Sequence, residues 1–211
     1  RLTRVLTHEI MNAVTPITSL SDTLLGLTEA QASKEEIRNG LQTISSTGKG
    51  LLSFVESYRK FTRIPTPEPS LFYVKSFIAR HQHPDVRVTF HMDIAPSDLI
   101  LYADENLVSQ VVINLLKNAI QAIESDKNTD KEGHINIRAY CNEAEAILIE
   151  ISNNGPAIPN DIAEHIFIPF FTTKEGGSGI GLSISRQIMR LSGGNLSLLP
   201  GKETTFILKF N

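Results

Sequence analysis

The 211-residue sequence has one cysteine, no tryptophan, and no long run of basic or apolar residues. The single cysteine, Cys141, excludes an internal disulfide framework and is typical of a reducing compartment. The formal net charge is -3, so nothing in the charge pattern indicates a nucleic-acid partner. No apolar stretch reaches the roughly 20 residues that span a bilayer and no signal peptide opens the chain, so we expect these residues to be cytoplasmic, without membrane contact.

The first third of the sequence has two helical heptad patterns. The opening RLTRVLTHEI already has helical character without a capping residue, so we expect a piece of a longer protein. A short linker offers Thr28 or Ser33 as a helix cap, and Glu36 completes a capping box with Ser33. Two antiparallel helices follow, and pairing with a second copy as a four-helix bundle would bury them better. The apolar seams are Leu6, Ile10, Ala13, Ile17, Leu20, Leu24, Leu27, and Ile37, Leu41, Ile44, Gly48, Leu51, Val55, Tyr58.

The segment IPTPEPS, residues 64–70, is the clearest domain boundary, because its three prolines cannot continue a helix. We therefore expect one domain over residues 1–65 and another over 66–211. The second part has strand patterns in VRVTFHMDI, HINIRAY, AILIEISNN, NLSLLP and TTFILKF, and helical patterns in NLVSQVVINLLKNAIQAI and IGLSISRQIMRLSG. These patterns predict an α+β protein in which the second domain is an α/β sandwich, one mixed sheet with helices on one face.

His8 is the first candidate for chemistry. A histidine on a helix is usually a solvated surface residue or a hydrogen-bonded core residue. With Leu6 and Ile10 in the seam, however, His8 is predicted to lie on the outward face, beside Glu9 and one turn before Asn12. Glu9 could accept the imidazole proton and leave the other ring nitrogen free to attack an electrophile. Pro16 is expected to kink this helix about two turns later.

The electrophile is sought further along the chain. Asn114 and Asn118 lie one turn apart on a predicted helix, where two amide oxygens could help to hold a hydrated Mg²⁺, although an ordinary polar face has the same pattern. Gly155 follows a predicted strand, where the backbone could pass close to a ligand. Lys174 could then reach a terminal phosphate as a point charge. The glycines that lead into the next helix would form an anion cradle of N–H groups: Gly176, Gly177, Gly179 and Gly181.

These segments together resemble the transmitter region of bacterial two-component sensor histidine kinases. HEIMN is similar to the H box of that family, NLLKNA to the N box, NNGPAIP to the first glycine box, PFFTTK to the F box and GSGIGL to the second glycine box. All five occur in the order of the family and extend over almost the whole chain. The resemblance implies a dimerisation and phosphotransfer hairpin at residues 1–65, followed at 66–211 by an ATP-binding sandwich of the Bergerat (GHKL) type.

The resemblance also implies roles for individual residues. His8 would attack the γ-phosphate of ATP, with Glu9 as general base and Asn12 assisting, and the phosphoryl group would pass to an aspartate in the receiver domain of a response regulator. Asn118 would coordinate Mg²⁺ with Asn114 in support. The implied nucleotide-binding set is Asn114, Lys117, Asn118, Asn153, Gly155, Ala157, Lys174, Gly177, Gly179, Gly181 and Leu182. Many relatives are anchored in the membrane by segments outside this region, so these residues could be the cytoplasmic part of an inner-membrane sensor whose full length is anchored.

The first glycine box departs from the family pattern at two positions. Asn153 stands where an aspartate normally accepts a hydrogen bond from the adenine amino group, so the charge-assisted part of that bond is lost. Ala157 replaces the second glycine, and its methyl group is expected to crowd the adenine. These changes keep open a degenerate kinase that acts as a dimeric scaffold or as a response-regulator phosphatase.

A second alternative is another ATPase of the same superfamily, but that class carries a water-activating glutamate where this sequence has Asn114. The remaining histidines do not have the paired spacing of metal ligands, and we expect His81 and His83 to be solvated loop residues. Phe170 and Phe171 are expected to pack in the core beneath the ATP lid, which the resemblance places at residues 174–178.

Overall fold

The computed structural model describes residues 2–29, 33–81, 88–126, 132–174, 177–199 and 201–211, with the backbone alone for residues 2–6, 8–9 and 27–29. The chain divides into two compact units, Arg1–Arg63 and Ile64–Asn211. His83, Gly176 and part of the expected lid lie outside the described residues. So do the side chains of His8, Glu9 and Thr28.

The first unit is a helical hairpin of α1 (Leu2–Glu29) and α2 (Lys34–Thr62). The predicted capping box at the start of α2 is confirmed: the Glu36 N–H donates to Ser33 Oγ over 3.3 Å, and the Ser33 N–H donates to Glu36 Oε2 over 3.0 Å. The hydroxyl and backbone hydrogen bonds from Ser33 lower the pKa of Glu36. Pro16 lies inside α1, which continues through it as one helix.

The contact between the two helices includes part of the seam expected in α2. Leu24 is buried in α1 as predicted, but it faces Gly40, where an added Cβ would lie 2.7 Å from a Leu24 methyl carbon. Of the seam expected in α2, Leu41 and Val55 are 56% and 45% exposed in the single chain, while the other five residues are half-buried: Ile37, Ile44, Gly48, Leu51 and Tyr58. The apolar pattern of α2 is wider than one seam, so part of it faces away from α1.

The second unit is built on a five-stranded sheet, whose strands are β2 (Val88–Ala95), β4 (Gly133–Cys141), β5 (Ile147–Asn153), β6 (Asn195–Leu199) and β7 (Thr204–Phe210). The strand order is β2-β4-β5-β7-β6, and only β2 and β4 are parallel within the described residues, so the sheet is mixed. All five match the predicted strand segments. The mixed sheet expected from the sequence is confirmed.

Buried and exposed residues alternate along these strands, which gives the sheet one apolar face for the helices to cover. In β4, Ile135, Ile137 and Ala139 are buried, while the residues between them are partly or fully exposed. Two amphipathic helices, α4 (Glu105–Glu124) and α6 (Gly181–Leu191), pack on the buried face. Both match the predicted helical segments. Their buried residues form one core with the sheet, which includes Val111, Leu115, Ile188 and Met189.

Four short elements were not predicted from the sequence. A separate two-stranded antiparallel sheet consists of β1 (Ser70–Tyr73) and β3 (Ile100–Ala103), and α3 (Val74–Ala79) and α5 (Asn160–Ala163) are single short helices. His81 follows α3 and was wrongly expected to be a solvated loop residue. It is half-buried, with its ring nitrogens hydrogen-bonded to Phe77 O at 2.7 Å and Ser109 Oγ at 2.5 Å. No helix in the described ranges has the length and apolar character needed to cross a membrane.

Candidate functional site

A cavity of about 420 Å³ opens in the second unit. It is formed by α4, the loop after β5, the segment before the glycine-rich loop and the start of α6. Motif segments far apart in the sequence therefore meet in one place. Nine residues of the predicted nucleotide-binding set line the cavity: Asn114, Asn118, Asn153, Ala157, Lys174, Gly177, Gly179, Gly181 and Leu182.

Hydrogen bonds fix the start of helix α4, which carries Asn114 and Asn118. Asp104 caps the helix, because its Oδ1 accepts the N–H groups of Asn106 and Leu107 at 3.0 Å each. Its Oδ2 accepts the Glu68 N–H over 2.8 Å, which ties the chain before β1 to the helix start. The Glu68 hydrogen bond is the main cause that lowers the pKa of Asp104, against the opposing effect of burial.

Asn114 is held against helix α6. Its Nδ2 donates to Ser185 Oγ over 3.0 Å, and Ser185 is only 2% exposed. Its Oδ1 lies so close to Gly181 that an added Cβ would be 2.4 Å from that oxygen. Gly181 is therefore required for the close approach of Asn114 to the start of α6.

Lys174 reaches back to the same helix. Its Nζ donates to Gln121 Oε1 over 2.6 Å and to Asn118 Oδ1 over 3.3 Å. The residue as a whole is exposed, but protein partly surrounds the ammonium, and this burial lowers the pKa of Lys174. The positive charge thus lies next to the amide oxygen expected to bind a metal ion.

Asn153, at the end of β5, is 2% exposed and bound to the backbone at both ends of its carboxamide. Its Oδ1 accepts the Gly155 N–H over 3.1 Å, and its Nδ2 donates to Thr204 O over 3.4 Å. Thr204 is its direct antiparallel partner on β7. These two bonds fix which end of the amide is oxygen, and each atom retains capacity for one further hydrogen bond.

Gly155 in the first glycine box and Gly179 in the second are glycines for different structural reasons. A Cβ on Gly155 would lie 2.8 Å from the Ala122 backbone, so this glycine permits close packing on α4. It is not among the residues that line the cavity. Gly179 has φ +64°, and its carbonyl accepts the Phe170 N–H over 2.9 Å. Phe170 itself has φ 68°, a conformation that is rare for a bulky residue.

Several predicted residues lie elsewhere. Lys117 is exposed on α4 and is not among the lining residues of the cavity. His8, Glu9 and Asn12 belong to α1 in the other unit, and the Asn12 side chain is exposed. The expectation that Phe171 packs in the core is wrong, because this half-buried residue lines the cavity.

Among the site residues that sequence reasoning missed, three form hydrogen bonds with predicted site residues: Gln121, Ser185 and Thr204. Gln121 carried a usable signal, since it follows Asn114 and Asn118 at the i+7 and i+3 positions of the same helix face. Ser185 and Thr204 gave no such signal, because α6 and β7 lie about 70 and 50 residues from their hydrogen-bonding partners. Among the described residues, no group of three or more His, Cys, Asp or Glu side chains could hold a metal ion.

Residues 103–211 match the model of the family described as histidine kinase-, DNA gyrase B-, and HSP90-like ATPase. A solved structure, the catalytic domain of histidine kinase ThkA, shares 31% identity at a TM-score of 0.57, over 68% of this chain and 95% of that one. The chain belongs to the histidine kinases. As a histidine kinase, it has the ATPase domain that implies ATP binding, and the predicted Bergerat-type fold is confirmed.

Similarity extends beyond the ATPase domain of this histidine kinase. The nitrogen regulation protein NtrY of Azorhizobium caulinodans is 31% identical over 210 residues, which cover 95% of this chain and 27% of that protein. The structure of histidine kinase ThkA in complex with response regulator protein TrrA matches 99% of this chain and 60% of that one, with 25% identity and a TM-score of 0.64. The chain spans between 27% and 52% of the length of the first four curated relatives.

Proposed function

We propose that the chain is the catalytic core of a two-component sensor kinase, which phosphorylates its own His8 from ATP. A ring nitrogen of His8 forms a bond to the γ-phosphorus while the bond from that phosphorus to the bridging oxygen breaks and ADP leaves. Glu9 accepts the imidazole proton, and Asn12 assists the transfer. The phosphoryl group then passes to an aspartate of a receiver domain. Such a reaction needs mainly positioning and charge neutralisation.

One observation carries this proposal: four sequence motifs converge on a single cavity of the ATPase domain. In that cavity Asn153 accepts a hydrogen bond from the adenine amino group, and Ala157 and Leu182 lie beside the base. Lys174 surrounds the phosphates together with Gly177, Gly179 and Gly181. Gly155 packs the loop after β5 onto α4. Lys117, which is exposed and is not among the lining residues, would contact phosphate only from outside the cavity.

Magnesium fits the donor set of α4. Asn118 offers a carboxamide oxygen at the cavity, and Asn114 is held beside it by Ser185. Mg²⁺ takes oxygen ligands and keeps several waters, and substrate phosphate oxygens complete its shell, so it needs few donors from the protein. Bound there, the ion would neutralise charge on the β- and γ-phosphates.

Residues 1–65 act as the dimerisation and phosphotransfer hairpin, and residues 66–211 as the ATP-binding domain. Large apolar side chains of the hairpin remain exposed in the single chain, among them Met11, Val14, Leu41, Leu52 and Val55. A second copy would cover these side chains in a four-helix bundle. The homodimer is thus the state in which we expect the hairpin to be stable.

The partner in phosphotransfer is a response regulator. This assignment is supported by the similarity to ThkA, whose structure contains response regulator TrrA. We place the reaction in the cytoplasm, where the receiver domains of such regulators are found. Neither nucleic acid nor a membrane surface is needed for this activity, although the full-length protein could be anchored in the membrane.

The test is incubation with Mg²⁺ and γ-labelled ATP, followed by acid and base treatment of the labelled protein. We expect acid-labile, base-stable label that is lost in His8→Ala and kept in His91→Ala, a matched change at an exposed histidine of β2. Subsequent loss of label on addition of a purified receiver domain would support the second transfer. Label that persists in His8→Ala would refute the assignment of the phosphoacceptor.

The alternative is a degenerate kinase that serves as a scaffold or as a phosphatase toward its regulator. It is favoured by Asn153, whose amide is bound to Gly155 and Thr204 and carries no charge for the adenine amino group. If this alternative holds, the wild-type protein forms no labelled histidine but accelerates dephosphorylation of the receiver domain. The same labelling experiment therefore separates the two functions.

A further inference from the structure

We propose that Gln121 is a positioning residue of the nucleotide site: it holds Lys174 against α4, so that Lys174 and Mg²⁺ compete for the Asn118 oxygen. This inference rests on the proposed function, because it assigns Asn118 to the metal ion. It makes metal binding and release of Lys174 one coupled event.

The hydrogen bonds of Lys174 are unequal. The distance from Nζ to Gln121 Oε1 is 2.6 Å, against 3.3 Å to Asn118 Oδ1. Asn118 and Gln121 are three residues apart and thus adjacent on one face of α4. An ammonium has three donors and can bind both oxygens together. Gln121 is therefore the stronger anchor, and it keeps the ammonium within reach of Asn118.

The ammonium can leave this place without a rearrangement of the backbone. The Lys174 N–H donates to Thr172 Oγ1 over 3.1 Å, and the Lys174 carbonyl accepts the Gly177 N–H over 3.1 Å. These bonds fix the main chain beside the glycine-rich loop. Rotation of the long, flexible side chain is then sufficient to move the charge from α4 toward a phosphate.

Repulsion between positive charges makes Lys174 and Mg²⁺ compete for Asn118 Oδ1. When Asn118 Oδ1 coordinates a divalent cation, an ammonium at hydrogen-bonding distance from the same oxygen is repelled. The stronger the hold of Gln121 on Lys174, the more metal is needed to displace it. Gln121 thus raises the Mg²⁺ concentration at which the metal–nucleotide complex forms in the cavity.

The experiment measures binding of a fluorescent ATP analogue, at one subsaturating concentration, as Mg²⁺ is titrated. Gln121→Met keeps the length of the side chain and removes the acceptor, so we expect the Mg²⁺ midpoint to fall by about twofold to fivefold, as for the loss of one exposed charge-assisted hydrogen bond. Gln110→Met is the matched control, because Gln110 is exposed on the same helix but outside the cavity lining. Its midpoint should equal that of the wild type.

A double-mutant cycle isolates the contact. In a Lys174→Met background, Gln121→Met should no longer change the midpoint, because the group it holds is gone. An unchanged midpoint in the single variant, or an equal shift in both backgrounds, overturns the role of Gln121 while nucleotide binding stands. A wild-type protein that binds no nucleotide at any Mg²⁺ concentration overturns the proposed function, and this inference with it.

Discussion

Asn114 and Ser185, on helices α4 and α6, are joined by a hydrogen bond of 3.0 Å from the carboxamide Nδ2 to the hydroxyl oxygen. Because Nδ2 is the donor, the amide oxygen of Asn114 is the end that lies against Gly181 at the start of α6. One buried serine thus sets the orientation of a residue that lines the cavity.

Ser185→Ala should lower both the stability of the ATPase domain and its affinity for nucleotide. The Asn114 amide loses its acceptor, which we expect to reduce the free energy of unfolding by about 1 kcal/mol. We also expect ATP affinity to fall severalfold as the amide loses its fixed orientation. Urea unfolding and nucleotide titration measure the two effects. Ser192→Ala is the control, since the buried Ser192 hydroxyl has no partner among the described residues.

Asn153→Asp should have opposite effects on nucleotide affinity and on stability. A carboxylate offers the adenine amino group a charge-assisted bond, so we expect ATP affinity to increase severalfold. One carboxylate oxygen would, however, replace the Nδ2 that donates to Thr204 O, which brings two acceptors together. We expect the free energy of unfolding without nucleotide to fall by about 1 kcal/mol at neutral pH. If calorimetry shows both quantities rising, the assigned orientation of Asn153 is wrong.

Asp104 should make stability depend on pH in the acid range. Its folded pKa lies below the ordinary value of 3.8, chiefly because its carboxylate accepts the Glu68 N–H. Since the unfolded state binds the proton more readily, the contribution of Asp104 is fully present above that ordinary value and is lost as the pH falls through the folded pKa. We expect Asp104→Asn to flatten the stability profile in this window, as followed by urea unfolding.

Asp104→Ala should lower the free energy of unfolding at neutral pH by about 1–2 kcal/mol more than Asp104→Asn does, because alanine cannot cap α4. Asparagine retains one acceptor oxygen for the Asn106 and Leu107 N–H groups. Equal stability of the two variants would show that the cap contributes little.

In the proposed homodimer, Val55→Glu should shift the equilibrium from dimer to monomer. Val55 is 45% exposed in the single chain, and a charge there would be costly in a buried bundle interface. Sedimentation velocity should show the dissociation constant rising at least about tenfold, an increase of 1.4 kcal/mol or more. Ser53→Glu is the control, since two residues along a helix place Ser53 on the other side of α2. Dissociation by both variants would argue against this face.

The spacing of apolar residues in the sequence was sufficient to predict most of the secondary structure. The strands of the five-stranded sheet and helices α4 and α6 were predicted because alternating and helical apolar patterns are local properties. The capping box at Ser33 and Glu36 was predicted for the same reason. The small β1–β3 sheet was missed, since its strands are four residues long and pair across 26 intervening residues.

For the site, the sequence by itself determined which residue types would be present: two asparagines on one helix turn, a lysine, and glycines before a helix. Only the tertiary structure decided their contacts. Lys174 meets Gln121 across 53 positions, Asn114 meets Ser185 across 71, and Leu24 faces Gly40. Such contacts depend on how helices and strands pack against each other. That packing is set by the whole core, so no local pattern in the chain records it.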